Sequence, residues 1–419
     1  MESYHIRGGN RICGEYSVKG SKNAALPILA AALLCDGECE ITNAPQISDV
    51  DSMKTMLKEL GCGITAKSGT LIIDSKHITA DTISLERMKE MRSSVFLMGA
   101  LLGRCGSAVL SQPGGCNIGS RPIDLHLHAL RRLGVEICER DNLVICRGRR
   151  LKGANINFAF PSVGATENAM MAATAAEGQT VLSNCAREPE IYALQDFLNA
   201  CGADISGAGS DIIHINGGRP LHGASHKIIP DRIECGTYLV AAAATGGEIL
   251  VHHAESGHLA SILQKLKETG CTVRQESDRI YVKACGRLKA LDRLITGPYP
   301  RFPTDMQSPF IAMLALAEGE SFIEETIFEN RFNFTSELIE MGADITIKGN
   351  TAIVKGVQKL NGSVVKATDL RGGAALTLAG LMAEGTTIIQ NIEHIERGYE
   401  NFPEALQSLG ADIRKNDER

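Results

Sequence analysis

The sequence predicts an α/β protein: a two-lobed inside-out α/β barrel of six repeated βαβ-type units, three per lobe, with helices buried and sheets outside. Three observations predict it. A Gly-centred pattern leading into a β-prone stretch occurs six times: LGCGI (Leu60–Ile64), LGVEI (Leu133–Ile137), CGADI (Cys201–Ile205), TGCTV (Thr269–Val273), MGADI (Met341–Ile345) and LGADI (Leu409–Ile413). Its glycines, Gly61, Gly134, Gly202, Gly270, Gly342 and Gly410, are 68 to 73 residues apart, the mark of one supersecondary unit used repeatedly. A second marker keeps the same beat. It is a helix-ending Gly before a strand-like run, at Gly37, Gly106, Gly178, Gly247, Gly319 and Gly385. Third, each second marker follows a segment rich in Ala, Leu and Met and almost free of charge: 24–34, 94–102, 165–176, 235–244, 309–317 and 374–383.

A helix apolar all round belongs inside a core, and these are too short to span a bilayer. The Gly after each suits a left-handed helix-terminating residue. The segments around the first marker, such as QDFLNACGADISG and PEALQSLGADIRK, are amphipathic helices running into strands. Each unit is thus a buried helix, a strand, an outer helix and more strand. The sixth copy ends too soon for its last strand, and the N-terminal YHIRGG…CGEYSV segment is placed to supply it. The lobes follow: residues 1–20 with 231–419, and 21–230, crossing at Gly20–Lys22 and Ile229–Asp231.

The six buried helices begin GSKNAALP, MRSSVF, PSVGATEN, PDRIECGT, FPTDMQSP and TDLRGGAA. Capping accounts for the Ser, Thr and Asp. It does not require Lys22, Arg92 or Arg371. Helix N-termini attract anions through free N–H groups and the macrodipole. Helices side by side in each lobe would gather their N-termini on one surface, and two such surfaces would make a cleft for anionic ligands.

Composition narrows the classes. Hydrophobic residues make up 44% and aromatic residues 4% with no Trp, so a large core must rest on aliphatics. A net charge of −6 argues against a general nucleic-acid binder. MESYHIRGG is short and polar and no transmembrane run is visible, which points to a cytoplasmic protein. Thirteen cysteines include no C-x-x-C pair, and Cys35/Cys39 lacks a second ligand pair nearby in sequence, so no metal site is expected. Buried reduced thiols are the expectation for twelve of them. The thirteenth, Cys116, sits in SQPGGCNIGSRPIDLH between Gly114–Gly115 and Gly119, five residues before Arg121. A glycine loop exposes its residues, so Cys116 is read as a reactive thiol.

GSKNAALPILAAALL, PGGC…RPIDLH, SVGAT, REPEI, IIPDRIE, FPTDMQ, FENRF, ATDLR and HIERGYE occur in order along essentially the whole chain. Together they resemble the UDP-N-acetylglucosamine 1-carboxyvinyltransferase family of enolpyruvyl transferases, built of six similar units in two lobes. The resemblance implies transfer of the enolpyruvyl group of phosphoenolpyruvate to the 3-hydroxyl of UDP-N-acetylglucosamine, with release of phosphate and without a cofactor or obligatory protein partner. It implies Lys22, Arg121 and Arg397 as the phosphoenolpyruvate clamp, with Arg92, Arg331 and Arg371 in the same motif set. Cys116 would be the proton donor to C-3, and Asp305 the base for the sugar hydroxyl, with Asp369 sharing the proton work. Asn23, Arg121, Pro122, Ile123, Asp124, Leu125, Ser162, Val163, Gly164, Asp305 and Ile327 would bind the nucleotide sugar. One departure stands out. Some members carry a basic residue two positions before the SVGAT Ser, where this chain has Phe160. The diphosphate would then rest on N–H groups of Ser162–Gly164. The cationic clamp divides between the lobes, so an anionic ligand would favour closure. Two rivals remain: the sister enzyme acting on shikimate 3-phosphate, which lacks the Cys-bearing loop, and a catalytically silent paralogue that binds the nucleotide sugar.

Overall fold

The computed structural model describes residues 2–67, 69–83, 92–111, 118–119 and 122–417. These fall into two compact units. The first holds residues 2–19, 118–119 and 230–417, and the second holds 20–67, 69–83, 92–111 and 122–229. Ile118 and Gly119 group with the first unit, where the Asn330 N–H donates to the Ile118 carbonyl at 3.0 Å.

In the second unit the helices alternate in burial. α1 (Lys22–Ala31) is almost wholly buried, whereas α2 (Ser48–Glu59) buries one face. The next pairs are α3 (Phe96–Cys105) with α4 (Asp124–Arg132), then α5 (Val163–Thr174) with α6 (Pro189–Ala200). The first unit repeats the alternation. α7 (Arg232–Ala244), α9 (Gln307–Leu314) and α11 (Leu370–Met382) are buried. α8 (Ala260–Glu268), α10 (Thr335–Glu340) and α13 (Phe402–Ser408) each bury one side, and the short α12 (Glu393–Glu396) lies between α11 and α13. Buried helices pack on one another, α3 on α1 and α5, and α9 on α7 and α11. Ala-rich sequence makes this close packing possible. At Gly99 of α3 a Cβ would come within 2.4 Å of the Asn168 carbonyl oxygen of α5, and the Gly99 N–H donates to Asn168 Oδ1 at 2.7 Å.

Among the described residues, the five four-stranded sheets share one plan. The strand that follows a buried helix pairs parallel with an edge strand on one side and antiparallel with a return strand on the other. Thus Glu320–Glu324 lies between Leu294–Ile295 and Thr351–Lys355, which in turn pairs with Asp344–Lys348. Gln179–Ser183 and Glu38–Thr42 are placed the same way in the second unit. Each of these strands alternates buried and less buried residues, so one face meets the core. The N-terminus completes two such sheets. Glu2–Arg7 pairs antiparallel with both Thr386–Gln390 and Asp412–Asp417, and Cys13–Ser17 pairs parallel with Glu248–His252.

All six glycines of the first marker have positive φ, between 91° and 105°. In each the glycine N–H donates three residues back and the next N–H five residues back, for example Gly61 to Lys58 and Cys62 to Leu57. This pair of bonds is the Schellman helix end. The carbonyl five back always belongs to Leu: Leu57, Leu130, Leu198, Leu266, Leu338 and Leu406. The second marker departs from its expected role. Only Gly106 caps a helix in the left-handed region, at φ 71°. Gly247 lacks positive φ, which falls to Gly246 instead. What Gly247 needs is room, since a Cβ there would sit 2.0 Å from the Ile12 carbonyl oxygen.

Candidate active site

The first unit gathers its charged helix starts around Asp305. FPTDMQ forms a 3-10 turn, Thr304–Met306, ahead of α9, and no side-chain cap bond is made there. Asp305 is therefore not an N-cap; its oxygens are shared out between two arginines. Arg331 donates to Oδ1 at 2.9 Å and Arg371 to Oδ2 at 3.2 Å. Both guanidinium-bearing side chains are buried, at 3% and 5% exposure, while the Asp305 side chain keeps 28%. Burial would push the carboxyl up, but the charges of Arg371, Arg331 and Arg232 outweigh it and hold Asp305 well below the usual carboxylate range.

Neighbours fix the arginines in turn. Arg331 also donates to the Thr304 carbonyl at 3.2 Å and lies 3.9 Å from Asp369. Arg371 donates to the Tyr399 hydroxyl at 3.0 Å, and Tyr399 meets Thr237 at 2.9 Å. Asp369 is the N-cap of α11, with Oδ1 accepting the Arg371 and Gly372 N–H groups at 3.0 Å each. Its cap role occupies the oxygen nearest Arg331. Ile327 is set by Glu325, whose Oε1 accepts its N–H at 2.8 Å while Oε2 accepts the Thr304 hydroxyl at 2.9 Å. Arg397 follows directly on α12.

In the second unit Lys22 starts α1 behind the cap Ser21 and pairs with Asp49 of α2 at 2.6 Å, both side chains nearly buried. Asn23 is the next residue, half-buried. Ser162 caps α5, its hydroxyl accepting the Ala165 N–H at 3.4 Å. The Ser162 N–H already donates to the Phe160 carbonyl at 2.8 Å, so the donors left by helix geometry are those of Val163 and Gly164. Gly164 lies under His126, where a Cβ would be 3.1 Å from the ring. His126 Nδ1 is 3.0 Å from Asn168 Nδ2. Asp124 opens α4, with Leu125 after it and Pro122 and Ile123 before it. Cys116 and Arg121 lie outside the described residues, as does the side chain of Arg92.

Thus Asp305, Arg331, Arg371 and Asp369 come together in one unit. Sequence reasoning missed Asp49, Arg232, Tyr399 and Glu325. Of these only Arg232 carried a signal, as a charge in the PDRIE helix start. Among the described residues no helix is long and apolar enough to cross a membrane.

The family model for EPSP synthase (3-phosphoshikimate 1-carboxyvinyltransferase) matches residues 6–406. A UDP-N-acetylglucosamine 1-carboxyvinyltransferase 2 from Caldanaerobacter subterraneus subsp. tengcongensis is 50% identical over 99% of both chains. The UDP-N-acetylglucosamine 1-carboxyvinyltransferase of Halothermothrix orenii is 48% identical over 99% of this chain and 100% of that relative. Among solved structures, the enolpyruvyl transferase NikO from Streptomyces tendae superposes with a TM-score of 0.90 at 26% identity, covering 99% of each chain. EPSP synthase from Acinetobacter baumannii, at TM-score 0.76 and 20% identity over the full length of both, shares the fold. With the mixed α/β architecture and near-complete coverage in hand, the chain belongs to the EPSP synthase family of enolpyruvyl transferases, alongside its UDP-N-acetylglucosamine 1-carboxyvinyltransferases.

Proposed function

We propose that the chain transfers the enolpyruvyl group of phosphoenolpyruvate to the 3-hydroxyl of UDP-N-acetylglucosamine, releasing phosphate, the first committed step of peptidoglycan precursor synthesis. The observation that carries this reading is identity of 46–50% over 99% of the chain with relatives named for that enzyme. The reaction protonates C-3 of phosphoenolpyruvate, forms a bond from the sugar oxygen to C-2, then expels phosphate with loss of a C-3 proton. Cys116 supplies the proton to C-3. Asp305 receives the proton of the sugar hydroxyl. A carboxylate held low by two arginines is a weak base. Phosphate or carboxylate charge brought against Arg331 and Arg371 would draw those cations off and raise its affinity for the proton.

Lys22, Arg121 and Arg397 clamp phosphoenolpyruvate, with Arg92 in support, and Asp369 holds Arg331 and Arg371 in register while sharing the proton work. Asn23, Pro122–Leu125, Ser162–Gly164 and Ile327 hold the nucleotide sugar, and the Val163 and Gly164 N–H groups suit its diphosphate. No cofactor or metal enters. We place the enzyme in the cytoplasm, where both substrates are made. The repeated helix-and-sheet plan fits two inside-out barrels of three units each, the first carrying Asp305 and the arginines and the second the nucleotide-sugar side.

A phosphate-release assay with both substrates decides among the alternatives. Release that requires UDP-N-acetylglucosamine supports the reading. Release with shikimate 3-phosphate alone as acceptor moves the chain to the sister activity, and binding without release marks a silent paralogue.

A further inference from the structure

The sequence holds no paired metal motif, yet the fold of the second unit brings three distant thiols together. The Sγ atoms of Cys35, Cys39 and Cys201 lie within 4.8 Å of one another, and all three residues are fully buried. Cys35 begins the short strand Cys35–Asp36, which pairs with Leu221–His222. Cys39 faces the core from Glu38–Thr42, and Cys201 ends α6. The trio therefore sits on the seam where the first and last segments of the unit meet.

The repeats supply an internal control. The residue before each Schellman glycine accepts an N–H from the segment entering the next sheet: His222 to Cys201, Lys152 to Leu133, Lys289 to Thr269 and Asn361 to Met341. His222 bridges Asp36 just as Lys152, Lys289 and Asn361 bridge Glu177, Glu318 and Glu384. The positions matching Cys201, Cys35 and Cys39 are then Leu133, Ala176 and Thr180; Thr269, Ala317 and Ser321; and Met341, Ala383 and Thr387, all buried. Packing at this joint is thus met three times without cysteine, and twice without any sulfur.

We propose that Cys35, Cys39 and Cys201 form a binding site for one thiophilic d10 cation, with Zn2+ the best match in charge to three buried thiolates. Three protein ligands leave the fourth position of a tetrahedron to water. The ion would tie residues 35–39 to residue 201 and so close the unit on itself.

The test uses the full chain, reduced and metal-stripped, titrated with Co2+ and then with Zn2+. The expected result is one equivalent bound, a thiolate-to-cobalt charge-transfer band displaced by Zn2+, and proton release that weakens binding as pH falls. Zn2+ should also raise the melting temperature. The variant C35A/C39T/C201L, built from the residues of the Leu133 joint, should lose the equivalent, the band and the shift while retaining enolpyruvyl transfer. Should that variant not fold, Cys201→Ala alone should lose the band. Equal metal uptake by wild type and variant, or no charge-transfer band, overturns the site. So does a mass loss of two hydrogens between these cysteines on mild oxidation with no metal uptake, which would make them a redox pair.

Discussion

Arg371 reaches Asp305 with one guanidinium nitrogen and Tyr399 with the other, at 3.2 Å and 3.0 Å. A planar fork held at both tips cannot be replaced by a point charge. Arg371→Lys should keep the positive charge yet lose one of the two partners. We expect kcat/KM to fall by about 10-fold to 100-fold, corresponding to a lost charged hydrogen bond of ~1.5–3 kcal/mol. Steady-state kinetics in both substrates checks this, and unchanged kcat/KM would show that the fork has no part in turnover.

Asp305→Asn keeps the shape but removes both the charge and the base. Turnover should drop by about 10²–10⁴-fold, the usual worth of a general base. Stability should fall as well, because Arg331 and Arg371 lose their shared counter-charge in a buried setting. Phosphate release together with thermal melting separates the two effects. A variant that melts lower but turns over normally would remove Asp305 from the chemistry.

Glu234 gives a pH signature unconnected with catalysis. It is buried on α7, accepting the Tyr16 hydroxyl at 2.7 Å and the Lys19 N–H at 2.8 Å. Desolvation first, then the charge of Asp231, raise it to about 8 despite those bonds. A raised folded value means the stabilisation is complete below the ordinary carboxylate range near 4.5 and is lost as pH rises towards about 8. Melting curves from pH 5 to pH 8 should therefore decline more steeply in wild type than in Glu234→Gln. Parallel curves would count against the shift.

The Schellman glycines can be graded. At Gly134, φ is 91° and a Cβ meets nothing within 4 Å, so Gly134→Ala tests backbone strain alone. It should cost about 1–2 kcal/mol in denaturant unfolding. At Gly61, φ is 105° and a Cβ would lie 2.5 Å from the His77 carbonyl oxygen, so Gly61→Ala should cost more. The reverse order would show that the clash relaxes freely.

Cys116 is the proposed proton donor, and four of the other twelve cysteines, Cys13, Cys105, Cys138 and Cys285, are exposed where the sequence led us to expect burial, so selectivity is a real test. An epoxide analogue of phosphoenolpyruvate should alkylate Cys116, as read by peptide mass mapping. Cys116→Ser should lose activity because a hydroxyl is a far weaker acid, whereas Cys116→Asp should turn over and escape the label. Inactivation with the label on a different cysteine would cancel the assignment.

Much of this was legible from local pattern. Gly61, Gly134 and their counterparts follow amphipathic stretches, and a left-handed turn after a Leu-bearing helix is a short-range event. The all-apolar runs likewise had one physical outcome, burial. What escaped was pairing across distance. Asp49 lies 27 residues beyond Lys22, Tyr399 lies 28 beyond Arg371, and Cys201 lies 166 beyond Cys35; nothing in the chain between them specifies the approach. Capping, the ordinary role of a carboxylate before a helix, is not the one Asp305 takes, because two buried guanidiniums outcompete the backbone N–H groups for it.

The strand Glu2–Arg7 is clasped between Thr386–Gln390 and Asp412–Asp417. During synthesis its partners lie about 380 residues downstream, roughly 20–75 s at ribosomal speeds of ~5–20 residues per second. Through that interval Glu2–Arg7 has neither of its sheet partners, whereas the second unit draws on nothing beyond residue 229. The first unit can therefore close its last sheet only after almost all of residues 2–417 have been made.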